Sequence, residues 1–359
     1  MSRQFNFSAG PGVLPEAVVQ QGRDALWELG GSGLGLVETS HRSAAFTEVI
    51  DSARARLRRL LRLSDDQEVL FLHGGARTQF FMAPMALLGG GRATYLDTGI
   101  WSEGALVEAR RFGEVDVPFS SKATGWDHVP DAGALGPLPE GTRYLHYTSN
   151  NTVAGTEFSY VPDAGGAWLF CDASSNILSR PVDGSRFDLL YAGAQKNLGP
   201  SGVTIVVIRK ALIEAAKRDL PMMLRYDVHA DKQSMYNTPC TFAIYMVERV
   251  CAWIETQGLD AVDARNEAQS RRLYAAIDGS PRFKGKVAAN SRSRMNITFT
   301  TGDDALDAVF VKEATAAGLH GLKGHRKVGG LRASLYNAQT DAAVDALIAF
   351  MADFAGRYR

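Results

Sequence analysis

The sequence predicts an α/β fold in which a mostly parallel sheet is wrapped by helices, followed by a smaller α+β unit. Between about residues 43 and 255, short apolar runs alternate with amphipathic stretches, as in parallel sheets joined by helical crossovers. The chain has 359 residues, more than one ordinary core accommodates. We therefore expect a large domain at 14–257 and a small domain at 258–359, which also includes 1–13.

The elements of the large domain follow from hydrophobic periodicity. Residues 43–63 place leucines at helical spacing opposite a row of arginines, which predicts an amphipathic helix. Further helices are predicted up to residue 88 and over 103–112. Continuous apolar runs typical of buried strands predict the strands at 69–72, 93–96, 144–147, 168–171, 187–192 and 203–208.

The pattern changes after about residue 258. Helices are predicted at 261–277, at 303–317 and from Thr340 onwards, with strands at 295–300 and 328–335. Before this point, residues 219–241 are polar and predicted to be irregular, with Thr238 and Pro239 suited to the first positions of the next helix. A long excursion of this kind is usually functional or contacts a partner.

Composition excludes several classes of function. The chain has 39 basic and 39 acidic residues, hence a formal net charge of zero, so no overall field favours nucleic acid or an anionic membrane. Its three cysteines, Cys171, Cys240 and Cys251, form no CxxC pair, so we expect neither a disulfide framework nor a metal site. The N-terminus lacks a hydrophobic signal region and no apolar run approaches membrane-spanning length. We expect a cytoplasmic protein.

Lys196 and Asp172 are the candidate catalytic residues. Each follows a short apolar strand. A lysine amine can bind the aldehyde of pyridoxal phosphate, and a carboxylate can keep the cofactor's ring nitrogen protonated. Taken alone, such a lysine is usually a solvated loop residue and such an aspartate a turn or helix cap. The small residues around Lys196 and the apolar run before Asp172 favour the functional interpretation.

Other polar clusters also follow predicted strands. In an open α/β sheet, ligands bind beyond the carboxyl ends of the strands, so these clusters are expected to share one pocket. Glycines before Ala76 and Arg77 predict a phosphate site at a helix N-terminus, although a tight turn without a ligand is the commoner case for Gly-Gly. Trp101 offers a flat face to an aromatic ring, unless it is a core tryptophan. The glycine-rich motif of a dinucleotide site follows a strand, whereas the glycine-rich segment 30–35 follows a helix-like stretch. It therefore does not predict a dinucleotide site.

Short basic clusters remain. His41-Arg42, His325-Arg326 and Arg332 are candidate binders of carboxylates and phosphates, because arginine forms charge-assisted hydrogen bonds with both anions. Histidine–arginine pairs in turns are nonetheless more often exposed than functional.

Together these residues resemble the phosphoserine aminotransferase family, a fold-type I group of pyridoxal phosphate enzymes within the class V aminotransferases. The match runs in order along essentially the whole chain. It rests on Phe7-Ser8-Ala9-Gly10-Pro11, Thr39-Ser40-His41-Arg42, His73-Gly74-Gly75, Gln195-Lys196-Asn197-Leu198-Gly199-Pro200 and Lys323-Gly324-His325-Arg326.

The resemblance implies transamination between glutamate and 3-phosphohydroxypyruvate in serine biosynthesis, and in many bacteria the same reaction on a four-carbon analogue in vitamin B6 synthesis. It implies a homodimer with shared active sites. By position, Lys196 binds the cofactor aldehyde and Asp172 the ring nitrogen. Further cofactor contacts are implied for Ala76, Arg77, Trp101, Thr152 and Gln195, and for Asn237 and Thr238 towards the other subunit. Substrate anions are assigned to His41, Arg42, Arg77, His325, Arg326 and Arg332. Ala76 departs from the glycine expected in many relatives.

Three alternatives stay open on residue types alone. A cysteine desulfurase would need a nucleophilic cysteine on a flexible loop, which none of the three cysteines supplies. A serine–glyoxylate type of aminotransferase is harder to exclude, although it would not need the additional His-Arg pairs. A non-catalytic phosphate-binding protein on the same scaffold would not need Lys196.

Overall fold

The computed structural model describes residues 3–217 and 219–358. Its strands are β1 (Phe5–Asn6), β2 (Gln67–Gly74), β3 (Arg92–Asp97), β4 (Glu114–Ser120), β5 (Thr142–Thr148), β6 (Trp168–Asp172), β7 (Leu189–Gly193), β8 (Gly202–Arg209), β9 (Lys284–Gly285), β10 (Asn296–Thr300), β11 (Leu319–His320) and β12 (Leu331–Ser334). Its helices are α1 (Glu16–Trp27), α2 (Ala44–Leu60), α3 (Arg77–Leu87), α4 (Ile100–Ala109), α5 (Lys210–Ala215), α6 (Tyr226–Asp231), α7 (Thr241–Gln257), α8 (Leu259–Asp278), α9 (Asp304–Ala316) and α10 (Asp341–Arg357).

A seven-stranded sheet forms the centre of the molecule, in the order β2-β8-β7-β6-β5-β3-β4. Strand β8 pairs antiparallel with both β2 and β7, and the other neighbouring strands pair parallel. This arrangement confirms the predicted mostly parallel sheet. The carboxyl ends of β5, β6 and β7 consequently lie side by side, because Thr148 pairs with Asp172 and Asp172 with Tyr191.

Helices cover both faces of this sheet. On one face, α2 and α7 pack together against a buried apolar cluster that includes Phe46, Ile50 and Leu57. On the other, α3 and α4 bury Phe80 and Leu106 against the sheet. Helix α2 begins after Ser43, whose hydroxyl accepts from the amide of Phe46 at 3.3 Å, as expected of an N-cap. Such double coverage explains why the interior strands are continuous apolar runs.

A second, antiparallel sheet, in the order β12-β10-β9, follows α8. It packs with α8, α9 and α10 around a separate apolar cluster that also contains Phe7. Strand β1 pairs parallel with β11, joining Phe5 to Leu319, so the N-terminal segment lies with the C-terminal elements. The boundary between 257 and 258 stays a prediction.

Two local predictions were wrong, and edge strand β4 was not predicted. The residues of β4 are only half-buried or exposed, so they lack a continuous apolar run. Residues 219–241 are not irregular throughout, since α6 lies among them and buries Tyr226. Helix α7 begins at Thr241 after Cys240 rather than at the Thr238-Pro239 signal, because a preference of about 1 kcal/mol at a cap is easily overridden by packing.

Within the described residues, no helix combines the length and the apolar character needed to cross a membrane. The same residues contain no group of three or more His, Cys, Asp or Glu side chains arranged to bind a metal ion.

Candidate active site

The predicted site residues lie at the carboxyl edge of the large sheet. Strand β6 ends at Asp172, and β7 ends three residues before Lys196. A cavity of about 330 Å³ opens between them. The residues that line it are Gly75, Ala76, Arg77, Phe80, Trp101, Asp172, Ser174, Gln195 and Lys196. The structure thus brings both candidate catalytic residues and four of the predicted cofactor contacts into one cavity.

Among the described residues, the amine of Lys196 forms one hydrogen bond, from Nζ to Oγ1 of Thr152 at 2.6 Å. Burial lowers the pKa of Lys196 to about 8, Asp172 opposes this shift, and Arg332 adds to it. A lower pKa increases the fraction of neutral amine at physiological pH, and the neutral amine is the nucleophilic form. Lys196 is therefore chemically suited to attack an aldehyde.

Asp172 has one oxygen fixed and one available. Its Oδ1 accepts from the amide of Ser174 at 2.9 Å and from the Ser174 hydroxyl at 2.6 Å. No other described residue donates to its side chain. Burial raises the pKa of Asp172, while Lys196 and the bonds from Ser174 oppose this shift. A buried carboxylate with a free oxygen can accept a hydrogen bond from the protonated ring nitrogen of the predicted cofactor.

Trp101 forms an aromatic wall of the cavity from the first turn of α4. The guanidinium of Arg77 lies 4.9 Å from the centre of its ring, and the amine of Lys196 lies 5.8 Å from it. The indole Nε1 is buried without a hydrogen-bond partner among the described residues. A buried donor without a partner is costly, so this atom marks a position where a ligand acceptor would fit.

The turn between β2 and α3 is open enough for an anion. Gly74 has a φ of +92°, which favours glycine, and a Cβ added at Gly75 would meet no atom within 4 Å. The amides of Thr78 and Gln79 bond to the carbonyls of Gly75 and Ala76. The preceding amides at the start of this 11-residue helix have no described acceptor, and such amides bind phosphate.

Arg332 lies beside Lys196 at the candidate site. It projects from β12, and its Nη1 donates to the carbonyl of Thr152 at 3.2 Å, while its Nε is buried without a described partner. Burial lowers the pKa of Arg332. A buried guanidinium with unused donors is a strong site for a carboxylate.

His325 and Arg326 lie on the loop before β12. The side chain of His325 is half-buried, and its Nδ1 accepts from the amide of Lys327 at 3.3 Å. Burial lowers the pKa of His325, and the cations Arg332, Arg326 and Lys327 add to this shift. The imidazole is therefore neutral near pH 7, with its proton on Nε2. Arg326 is exposed.

Eight predicted site residues are not among those that line this cavity in the single chain: His41, Arg42, Thr152, Asn237, Thr238, His325, Arg326 and Arg332. Thr152 and Arg332 lie next to it, because Thr152 accepts from Lys196 and Arg332 donates to Thr152. His325 and Arg326 lie on the loop before β12. His41 is half-buried, and Arg42, Asn237 and Thr238 are exposed.

Sequence reasoning missed Ser174, Phe80 and Gly12. Ser174 had a local signal, because a serine two residues after an aspartate often bonds to it. Gly12 donates its amide to the carbonyl of Gln195 at 2.8 Å. A Cβ at Gly12 would lie 2.6 Å from the carbonyl oxygen of Lys196, so only glycine fits there. The approach of Gly12 depends on contacts between distant segments and had no local signal.

Comparison with known proteins agrees with this geometry. A family model for class-V aminotransferases matches residues 4–347. The chain is 47% identical over 360 residues to a phosphoserine aminotransferase from Lysinibacillus sphaericus, covering 99% of each chain. It is 46% identical over 354 residues to one from Pseudomonas entomophila, covering 98% of each. The chain belongs to the phosphoserine aminotransferase family. As a member of this family it is an aminotransferase whose cofactor is pyridoxal phosphate.

Solved structures of the family have the same fold. The phosphoserine aminotransferase from Bacillus circulans subsp. alkalophilus superposes with a TM-score of 0.97 at 44% identity, covering 99% of both chains. A pyridoxal phosphate-bound phosphoserine aminotransferase from Trichomonas vaginalis gives a TM-score of 0.92 at 37% identity, covering 98% of this chain and 100% of the other. These matches confirm the predicted fold-type I architecture.

The residues around the cavity fit the cofactor. The neutral form of the Lys196 amine, enriched by its lowered pKa, suits the cofactor aldehyde. The free oxygen of Asp172 suits its ring nitrogen, and the indole of Trp101 suits its ring. The glycine-flanked helix start at Ala76 suits a phosphate.

Proposed function

We propose that this chain transfers the amino group of L-glutamate to 3-phosphohydroxypyruvate, giving O-phospho-L-serine and 2-oxoglutarate, and so serves serine biosynthesis. One observation carries the proposal: the amine of Lys196, held by Thr152, faces the same cavity as the buried carboxylate of Asp172. The names of the relatives at 46% and 47% identity support the choice of substrates.

The predicted cofactor contacts in and beside the cavity have separate roles in this proposal. Pyridoxal phosphate supplies an aldehyde that binds the amino nitrogen and a ring that accepts an electron pair. Lys196 would bind the aldehyde, and its amine would move the proton at the substrate Cα. Asp172 would hold the proton on the ring nitrogen through its free oxygen. Trp101 would lie against the ring, Thr152 and Gln195 would contact the cofactor, and the turn at Ala76 and Arg77 would hold its phosphate.

The two substrates share an α-carboxylate and a distal anion, so one set of cations serves both half-reactions. Arg332 lies beside Thr152 and Lys196, which suits the α-carboxylate next to the reacting carbon. Arg77, His325 and Arg326 provide donors for the distal anion. Because His325 is neutral with its proton on Nε2, it donates a hydrogen bond without needing a low pH.

We propose that the active form is a homodimer. Leu26, Trp27, Leu34 and Val37 are large apolar residues with 42%, 88%, 53% and 60% of their surface exposed. Such a concentration of exposed apolar side chains is typical of a protein interface. It precedes His41 and Arg42, which, like Asn237 and Thr238, lie outside the single-chain cavity. In the dimer, these four residues complete the site of the other subunit.

Mixed dimers test the shared site. Lys196→Ala and Asn237→Ala chains should each be weakly active. If Asn237 serves the other subunit, refolding the two together places one intact site in each mixed dimer, and activity should recover to about a quarter of wild type, since about half of the dimers are mixed. No recovery, with mixed dimers present by native mass spectrometry, would place Asn237 in its own subunit's site.

The phosphorylated four-carbon analogue in vitamin B6 biosynthesis is proposed as a second amino acceptor. A neighbouring cavity of about 630 Å³ shares Arg77, Phe80 and Trp101 with the cofactor cavity. This additional space suits a longer ketone whose phosphate lies further from the reacting carbon.

A coupled assay tests the main proposal, with glutamate as the donor and 3-phosphohydroxypyruvate or glyoxylate as the acceptor. Because glyoxylate has no distal phosphate, it lacks at least two charge-assisted hydrogen bonds, each worth roughly 1.5–3 kcal/mol. We expect kcat/KM for 3-phosphohydroxypyruvate to exceed that for glyoxylate by at least about 100-fold. Equal values, or a preference for glyoxylate, would refute the assignment.

A further inference from the structure

The larger of the two neighbouring cavities contains a cation that the proposed function has not used. Lys327 lines this cavity together with Arg77 and Trp101, the two residues of the shared wall that carry polar groups. Lys327 directly follows Arg326 in the chain and is exposed. A lysine side chain therefore lines the cavity that shares Arg77 and Trp101 with the cofactor cavity.

The carboxylates of this cavity are already paired with other cations. Glu103 accepts from Nζ of Lys122 at 2.5 Å, and Glu108 pairs with Nε of Arg111 at 3.1 Å. Over residues 3–217 and 219–358, Lys327 forms no ion pair with a carboxylate. Its charge is therefore available to an anionic ligand.

The backbone around Lys327 is held in place. The amide of Lys327 donates to Nδ1 of His325 at 3.3 Å, and the amides of Val328 and Gly329 donate to the His325 carbonyl at 2.9 and 2.8 Å. Nζ of Lys286 donates to the carbonyl of Val328 at 2.8 Å. These bonds fix the backbone that carries Lys327 relative to the imidazole of His325.

We propose that Lys327 is a further specificity-determining residue, which binds the distal phosphate of the ketone substrate with His325 and Arg77. This inference rests on the proposed function. A phosphate monoester carries a charge of about −1.5 to −2 at pH 7, and the side-chain carboxylate of glutamate carries −1. Since the Coulomb energy scales with the ligand charge, Lys327 favours the phosphorylated ketone over glutamate.

Single-turnover half-reactions separate the two substrates. In Lys327→Gln holoenzyme, we expect kcat/KM for 3-phosphohydroxypyruvate to fall about tenfold, as for the loss of one charge-assisted hydrogen bond. The value for glutamate should fall less than about threefold, because its distal charge is smaller. Lys327→Arg should retain most of the phosphate preference. Lys323→Gln removes a cation from the same loop outside this cavity and should change neither half-reaction.

Inorganic phosphate provides a second probe that does not depend on turnover. Its dissociation constant for the holoenzyme, followed through the cofactor absorbance, should rise in Lys327→Gln and stay unchanged in Lys323→Gln. Equal losses for both substrates, or unchanged phosphate affinity, would overturn the role of Lys327. If wild-type enzyme fails to aminate 3-phosphohydroxypyruvate, the proposed function itself fails, which is a separate outcome.

Discussion

Removing the guanidinium of Arg332 should raise the pKa of the Lys196 amine. Burial is the largest cause that lowers this pKa, and the positive charge of Arg332 lowers it further, whereas the carboxylate of Asp172 raises it. Arg332→Gln should therefore shift the titration of Lys196 to higher pH. Asp172→Asn should shift it in the opposite direction, because the charged amine loses its stabilising partner.

The size of the effect on reactivity follows from the two pKa values. With a pKa of about 8 instead of the ordinary 10.5, roughly 9% of the amine is neutral at pH 7 instead of about 0.03%. The folded site therefore increases the nucleophilic form about 300-fold. Each unit by which Arg332→Gln raises the pKa lowers the neutral fraction at pH 7 about tenfold.

Competitive labelling of the cofactor-free protein measures this pKa directly. Trace acetic anhydride is added between pH 6 and 11, and mass spectrometry follows acetylation of the peptide that contains Lys196. Arg326→Gln is the matched control, because it removes a guanidinium that is not among the charges acting on Lys196. An unchanged midpoint in both Arg332→Gln and Asp172→Asn, or shifts in the same direction, would refute the electrostatic account of Lys196.

Three further substitutions test other parts of the account. Thr152→Val removes the acceptor of the 2.6 Å bond from Lys196 and should lower kcat about tenfold. Thr152→Ser keeps the hydroxyl and should retain most activity. Stopped-flow kinetics of the two variants would show whether the hydroxyl matters. Glu248→Ala removes a fully buried carboxylate from between two arginines and should lower the free energy of unfolding by about 3–5 kcal/mol, measured in urea. Gly12→Ala should weaken cofactor retention, since the added Cβ would lie 2.6 Å from the Lys196 carbonyl oxygen. Gly356→Ala, which meets nothing within 4 Å, should leave retention unchanged.

The interior of the fold was predictable because burial on both faces leaves a continuous apolar run. Strands β6 and β7 are such runs, and both were predicted. Edge strand β4 escaped prediction because neighbours cover only one side of it and its residues stay partly exposed. Helix α6 has six residues, too few for an amphipathic period to show.

The candidate site residues that lie at or just after strand ends could be predicted from the sequence. Asp172 and Lys196 follow adjacent parallel strands, so topology alone brings them together. Which oxygen of Asp172 is fixed and which is free depends on the side-chain geometry of Ser174. The sequence indicates only that a serine follows the aspartate by two residues. The positions of Asn237 and Thr238 relative to a cofactor depend on a second chain, so their role stays a prediction.

Borohydride reduction of the holoenzyme followed by peptide mapping tests the central claim most directly. Reduction fixes the cofactor to the lysine that binds it, and the modified peptide identifies that lysine. The account predicts a single cofactor-bearing peptide, modified at Lys196, whose yield is lost in Lys196→Ala. Modification of another lysine in the wild-type enzyme, with Lys196 unmodified, would contradict the assignment of the site.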